Sequence, residues 1–460
     1  MSHWSHDAVF YHLFPLGAAG APARNELGAP PAARLEGLGA WLDLAAGLGA
    51  TALQLGPVFE SSAHGYDVAD YGRVDRRLGT AEGLAAFTAA AHRRGLRVAF
   101  DAVFHHVGRD FWAFRDVRAR PSTSPYRSWF FLDDRRRSPY GDPFAYEGWS
   151  GHYDLVKLNV AEPAVREHLF AAARDWIHRF DVDGLRLDAA DVLDLGFQRE
   201  LAAVCRALKP DFWLVGEVVH GDYGRWAGPG ALDAVTNYEL YKALYSSHND
   251  RNYFELAHAL DRQFGPAGRY RGLPLYAFAD NHDVARVASR LAEPAHLYPL
   301  YAALFAAPGA PSSYYGSEWG VEGRKAAGGD APLRPALDPA ALPASAPRPD
   351  LARAVRRFVR LRRELPALRR GGYRTLFVAP EQLAFARESE GQAVVVALNA
   401  SGRAARVRVP LPGLAGGRLV DVLNEGEAFE ARGGAVELDL HPCWARVLRL
   451  EPAGAAGAAA

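Results

Sequence analysis

Lysine is nearly missing from this chain. Only Lys157, Lys209, Lys242 and Lys325 occur, within a combined Lys and Arg count of 53. This reads as a compositional habit of the source genome and carries no functional weight. Asp and Glu also total 53, so the formal net charge is zero, and no basic block or stripe dominates any segment. That removes nucleic acid and anionic membrane as principal partners. The two cysteines, Cys205 and Cys443, lie far apart and form no metal-ligand spacing. No apolar run approaches the ~18 residues of a membrane span. The opening MSHWSHDAVFYHLFP lacks the basic and long apolar regions of a signal peptide. A reducing cytoplasm is the expected compartment.

What the chain does have is length and apolar residues. Its 460 residues, 49% of them hydrophobic, leave room for one domain of roughly 250–400 residues and a smaller companion. Through about residue 365, short apolar runs alternate with amphipathic stretches. The runs at 9–15, 52–58, 97–103, 184–188, 213–218, 234–240, 275–280 and 312–316 are mostly continuously apolar, as strands buried on both faces should be. Between them, Leu35, Leu38, Leu42 and Ala45 repeat at helical spacing. Thr80 can cap a helix that stops at Gly95, and Pro163 suits a first helical position. Eight strand–helix units predict an α/β fold, a (β/α)8 TIM barrel.

The barrel is expected over 1–103 and 159–370. An inserted subdomain is expected at 104–158, after strand three, and a long loop at 324–349. Past Gly371–Gly372 alternating runs predict a C-terminal antiparallel β-sandwich over 371–451, with a disordered Ala/Gly tail at 452–460.

Three strand-like runs end in acids: GLRLD at Asp188, LVGEV with Glu217 and FADNHD at Asp283. A buried carboxylate costs several kcal/mol unless it is paired or used. In a barrel, polar residues at strand C-termini face the active site. Arg186 lies two residues before Asp188, so both point to one side and the guanidinium is expected to keep Asp188 ionised. Glu217 follows Trp213–Leu214–Val215, and apolar surroundings raise a carboxyl pKa, as a general acid requires. Two such groups flanking a sugar C–O bond are the requirement of glycoside cleavage.

The segments together resemble the α-amylase superfamily, glycoside hydrolase family 13. DAVFHH (101–106), GLRLDAAD (184–191), GEVVH (216–220) and FADNHD (278–283) are similar to its four ordered motifs. HGYDVADYGRVD (64–75) resembles its Tyr-containing loop, and VKLN (156–159) the mark of the neopullulanase and cyclomaltodextrinase branch. The resemblance implies Asp188 as nucleophile, Glu217 as acid/base and Asp283 as the group holding the sugar hydroxyls. Tyr66 would stack under the ring, with His106, Arg186 and His282 around it. Asp330 and Arg334 would grip the next sugar, and Trp149 in the insertion is taken as a stacking platform.

Departures from the pattern limit what is implied. His105 stands where the family usually has a calcium-binding Asn, and imidazole suits that ion poorly, so no metal and no cofactor are expected. Asp191–Val192 replaces a Lys-His pair common in endo-acting relatives. The chain starts almost directly on strand one, so the N-terminal domain of typical neopullulanases is expected to be lacking. The implied activity is retaining hydrolysis of maltooligosaccharides, cyclodextrins or pullulan, at α-1,4 links and with α-1,6 links left open. A transglycosylase, or a sucrose- or trehalose-active isomerase, is the alternative on the same scaffold. A non-catalytic sugar-binding protein is the third. The partner is an α-glucan oligosaccharide, and a homodimer is left open.

Overall fold

The structure is a computed structural model that describes residues 3–326, 329–413 and 417–452. Most of the tail expected to be disordered lies outside the described residues. Eight parallel strands form one sheet: β1 (Phe10–Leu13), β2 (Ala52–Leu55), β3 (Arg97–Ala102), β4 (Gly184–Leu187), β5 (Trp213–Gly216), β6 (Ala234–Val235), β7 (Tyr276–Phe278) and β8 (Ala310–Tyr314). Their order is β6-β5-β4-β3-β2-β1-β8-β7, and the parallel bridge Thr236↔Tyr276 closes the barrel.

The barrel interior shows why these short runs close. Phe10 stacks on Trp213 at 4.5 Å between ring centroids, and Tyr276 meets Phe10 edge-on at 5.2 Å. Ala52, Ala99, Ala234 and Ala310 complete this layer, so small residues make room for the large ones. Gly184 is part of the same fit, because a Cβ there would lie 2.6 Å from the carbonyl oxygen of Trp213. Two residues further along the strands the inward positions turn polar: His12, Gln54, Asp101 and Arg186, each at most 3% exposed.

The helices packed outside are α1 (Gly39–Leu48), α2 (Ala81–Arg93), α3 (Pro163–Phe180), α4 (Leu195–Leu208), α5 (Tyr238–Asn249), α6 (Tyr253–Phe264), α7 (Leu297–Ala306) and α8 (Pro349–Glu364). Thr80 caps α2 through its side chain, and Pro163 opens α3. Two expectations need correction. The sixth strand does not run to residue 240: Asn237 accepts the Leu240 N–H, a 3.0 Å cap that starts α5 two residues after the strand ends. The strand–helix repeat is also uneven. A 3₁₀ turn (Tyr223–Arg225) is the only helical element between β5 and β6, whereas α5 and α6 both follow β6.

Between β3 and α3 lie the helix Trp112–Ala119 and a three-stranded antiparallel sheet of His106–Gly108, His152–Lys157 and Gly148–Trp149. The first of these strands starts four residues past the end of β3, which brings the insertion directly over the barrel mouth. The stretch 324–349 is an irregular connection with a 3₁₀ turn at Ala331–Leu333 and a helical turn at Leu342–Ser345.

The C-terminal strands are β9 (Gly372–Val378), β10 (Gln382–Ser389), β11 (Gln392–Asn399), β12 (Ala405–Pro410), β13 (Gly417–Asp421), β14 (Ala428–Glu430), β15 (Ala435–Leu440) and β16 (Trp444–Pro452). They form an antiparallel sheet, β9-β10-β11-β16-β13-β14, and a separate β12-β15 pair. Val395, Ala397 and Leu448 of the sheet pack with Val409, Val436 and Leu438 of the pair. Val394, Val396 and Val447 on the opposite face join the barrel's own core.

Two arginines stitch this junction, both 0% exposed. Arg362 of α8 donates to the Phe305 and Ala307 carbonyls at 2.9 Å and also to that of Gly309. Arg387 of β10 donates to the Gly371 carbonyl at 2.9 Å and to that of Ala306. The partners cluster at the C-terminal end of α7, where helix carbonyls carry partial negative charge.

Candidate active site

Asp101 and Arg186 lie side by side in the β3–β4 register. Asp188 and Glu217 each stand one residue beyond their strand, β4 and β5. Gly216 must lack a side chain, since a Cβ would come within 2.5 Å of Leu232 and 2.8 Å of Ala190. These ends converge on one guanidinium. Arg186 Nη1 donates to Asp101 Oδ1 at 2.8 Å and to Asp188 Oδ1 at 2.9 Å, while Nη2 lies 2.9 Å from Glu217 Oε1. Ala189, held at φ 48°, turns its N–H toward Glu217 Oε2 at 3.0 Å. A non-glycine residue in that region is strained, and here the strain joins the two acids.

Asp283 completes the ring of carboxyls. His282 Nε2 lies 3.0 Å from its Oδ2 and Arg334 Nη2 lies 3.1 Å from its Oδ1. Arg334 also reaches Asp330 at 3.2 Å. Tyr66 donates its hydroxyl to Asp101 Oδ2 at 2.8 Å, contacts His282 Nε2, and lies parallel to the His282 ring at 5.4 Å. His106 Nε2 stands 3.8 Å from Asp188 Oδ2. Trp149 lies over His106 at 5.9 Å and stacks on His152.

All ten residues singled out from the sequence therefore meet in one place. A cleft of ≈ 760 Å³ is lined by Tyr66, His106, Trp149, Asp188, Glu217, Asp283, Asp330 and Arg334. Arg186 and His282 lie just beneath its floor, 3% and 1% exposed.

The electrostatics correct one expectation. Arg186 does not serve Asp188 alone, because its charge is divided among three carboxyls. Burial pushes Asp188 well above the usual carboxylate range; Arg186 opposes this, and Glu217, Asp101 and Asp283 add to it. Glu217 is raised as well, by burial first and with a contribution from Asp283. The two titrate as a pair, and the pair retains a proton more strongly than isolated carboxyls would. Asp283 goes the other way: burial would raise it, but His282 and Arg334 hold it well below the ordinary range.

Several side chains escaped sequence reasoning. Tyr238, the first residue of α5, lines the cleft with its hydroxyl 3.5 Å from Glu217 Oε1, and Asn281 donates to that hydroxyl at 3.2 Å. His12 packs edge-on against His282 at 5.1 Å. Other buried titratable groups lie away from the cleft. Glu318 is fully buried, accepts from Tyr11 Oη at 2.7 Å, and is pushed up to about 7 by burial. His248 is buried between the Leu244 carbonyl and Tyr253 Oη. Cys205 is a core residue.

Both domains of the chain match known families. Residues 28–338 match the α-amylase catalytic domain, and residues 373–447 match the neopullulanase-like C-terminal domain. The chain belongs to the α-amylase family of glycoside hydrolases. This α-amylase family enzyme is 32% identical over 466 residues to a cyclomaltodextrinase of Geobacillus thermopakistaniensis, covering 95% of the chain and 76% of that relative. Neopullulanase 2 of Thermoactinomyces vulgaris is 31% identical over 475 residues, covering 97% and 78%. Among solved structures, the cyclic α-maltosyl-(1→6)-maltose hydrolase from Arthrobacter globiformis superimposes with a TM-score of 0.81 at 29% identity, over 97% of this chain and 99% of that one. Among the described residues, no helix is long and apolar enough to cross a membrane.

Proposed function

We propose that this enzyme is a retaining α-glucoside hydrolase that opens α-1,4 links in maltooligosaccharides, cyclodextrins or pullulan, with α-1,6 links as further substrates. One observation carries the reading: Asp188 and Glu217 hang from the same guanidinium and open into the same cleft. The pair enters the reaction with one proton between its members, and attack requires that proton on Glu217. Asp188 then attacks the anomeric carbon while Glu217 protonates the departing glycosidic oxygen, giving a glycosyl ester on Asp188. Glu217, now a carboxylate, takes a proton from water, which displaces the ester and restores the anomeric configuration.

The remaining residues position the sugar. Tyr66 offers a ring face, held by Asp101 and His282. Asp283 is ionised and suited to accept from sugar hydroxyls, and Asp330 with Arg334 extends the polar wall. Trp149 supplies an apolar face on the insertion side. No step is routed through a metal ion. Arg186 and Arg334 offset part of the carboxyl charge in the site, and His105 is a poor donor for a hard cation. The names of the relatives support the substrate class, and the near-neutral cysteine-poor chain supports a cytoplasmic location.

Product chromatography on γ-cyclodextrin, pullulan, maltotriose, starch and sucrose tests this. Maltose and glucose from γ-cyclodextrin and maltotriose are expected, and Asp188→Asn should abolish every activity. Products of higher mass at high sugar concentration would favour the transglycosylase instead. Full activity in Asp188→Asn would end the assignment.

A further inference from the structure

His105 and His106 are consecutive and face each other. Their Nδ1 atoms are 3.3 Å apart, and the residues are 6% and 1% exposed. Two imidazoles can share such a contact only if one Nδ1 carries a proton and the other presents a lone pair. Both rings are neutral near pH 7. Burial, with Lys157 next, brings His105 down to about 4, and burial holds His106 well below its ordinary value. Each ring therefore has one proton to place.

The far side of His106 decides where. Its Nε2 is buried, has no hydrogen-bond partner, and stands 3.8 Å from Asp188 Oδ2. With the pair's proton on Glu217, as attack requires, a lone pair aimed at the ionised Asp188 is repelled and an N–H is attracted. With the proton on Nε2, His106 Nδ1 is bare and needs a donor, and the neighbouring ring supplies one. The competing partner is the Tyr66 carbonyl, which also acts on the His106 ring but carries no net charge.

We propose that His105 is a positioning residue that donates its Nδ1–H to His106 and so holds His106 as the Nε2–H tautomer facing Asp188. The inference rests on Asp188 being the attacking carboxylate. His106 then meets the carboxylate and the sugar as a donor, which favours the ionised form needed for attack and opposes the rise in its pKa. The insertion thereby acts on the chemistry from outside the barrel, through a ring that touches no reacting atom. Lys157, adjacent in register to His106 on the neighbouring strand, helps keep His105 neutral.

The test is ¹⁵N NMR of histidine-labelled protein, which separates Nε2–H from Nδ1–H imidazoles in the unliganded enzyme. His106 is expected as Nε2–H in the wild type. His105→Ala should lose that preference and lower kcat by about tenfold or more, the scale seen when a partner orienting a functional imidazole is removed. KM should change far less. His105→Asn, whose amide retains an N–H donor, should restore the tautomer and most of kcat. Finding His106 as Nδ1–H in the wild type, or an unchanged tautomer and kcat in His105→Ala, would overturn the proposal. If His105→Ala does not fold, the wild-type spectrum and His105→Asn decide. Activity in Asp188→Asn would instead defeat the nucleophile assignment while leaving the tautomer measurement intact.

Discussion

Replacing Arg186 by Met should be the most damaging single change at the site, and its cost should depend on pH in a specific direction. The guanidinium is 3% exposed and serves three carboxyls at 2.8–2.9 Å. At an effective dielectric of about 20, each such pair is worth roughly 4 kcal/mol of Coulomb attraction, most of it offset by desolvation. Removing the cation restores no solvent to the anions, so the net loss is that of breaking a buried pair, about 3–5 kcal/mol near pH 7. Without Arg186 the folded-state pKa values of Asp188 and Glu217 climb further above their unfolded values. A group raised in this way favours the folded state at low pH and loses that contribution as pH rises through the folded value. The deficit should therefore be largest at pH 7–8 and shrink toward pH 5. Thermal melts of wild type and Arg186→Met across that range measure it. A deficit below about 1 kcal/mol, or one that does not vary with pH, would refute the charge-sharing account.

Other outcomes follow from the same geometry. Asp183, at the opposite end of β4, receives His92, Arg97, Lys209 and the Val98 N–H, all at 2.8 Å. Burial would raise this carboxyl, but those donors hold it well below the usual range. Its contribution is present above the unfolded value near 4 and lost as pH falls. Asp183→Asn should cost about 2 kcal/mol in melts at pH 7, a deficit that starts to shrink below about pH 4 and vanishes only as pH falls through the depressed folded-state value, with kcat of the folded enzyme unchanged. Trp149→Ala should raise KM for maltooligosaccharides by roughly tenfold, the value of one stacked ring, and change kcat less. Gly17→Ala would set a Cβ 2.3 Å from the Arg334 carbonyl oxygen. The overpacking should displace the loop bearing Arg334 and Asp330, cost about 1–3 kcal/mol, and raise KM. In the pH profile of kcat/KM, the acidic limb should lie above the ordinary carboxylate range, because both members of the Asp188–Glu217 pair are raised.

The barrel strands were legible because burial on both faces leaves continuous apolar runs, and the acids because they end those runs. Tyr238 was not, since it belongs to a helix that begins where an apolar run continues, and only the Asn237 cap marks the change. The sharing of Arg186 was also hidden. Spacing places it beside Asp188, but its contacts with Asp101 and Glu217 depend on the register of three strands distant in sequence. The first two strands of the C-terminal sheet, Gly372–Val378 and Gln382–Ser389, are the harder ones to read, because Arg374 and Arg387 interrupt their apolar alternation. Arg387 is itself fully buried, held by backbone carbonyls in place of a carboxylate.

That arginine and its neighbour Arg362 bear on how the molecule comes apart. Neither buried cation has an acidic partner among its hydrogen bonds; Arg362 of α8 is held by the Phe305 and Ala307 carbonyls, while Arg387 of β10 reaches from the sheet to the Ala306 carbonyl beside them and to that of Gly371. Peeling the sheet away would take Arg387 from the Ala306 carbonyl and expose the valines that share the barrel's core. The barrel and the sheet should consequently melt in a single calorimetric transition, and a barrel severed at residue 370 should fail to reach the native state.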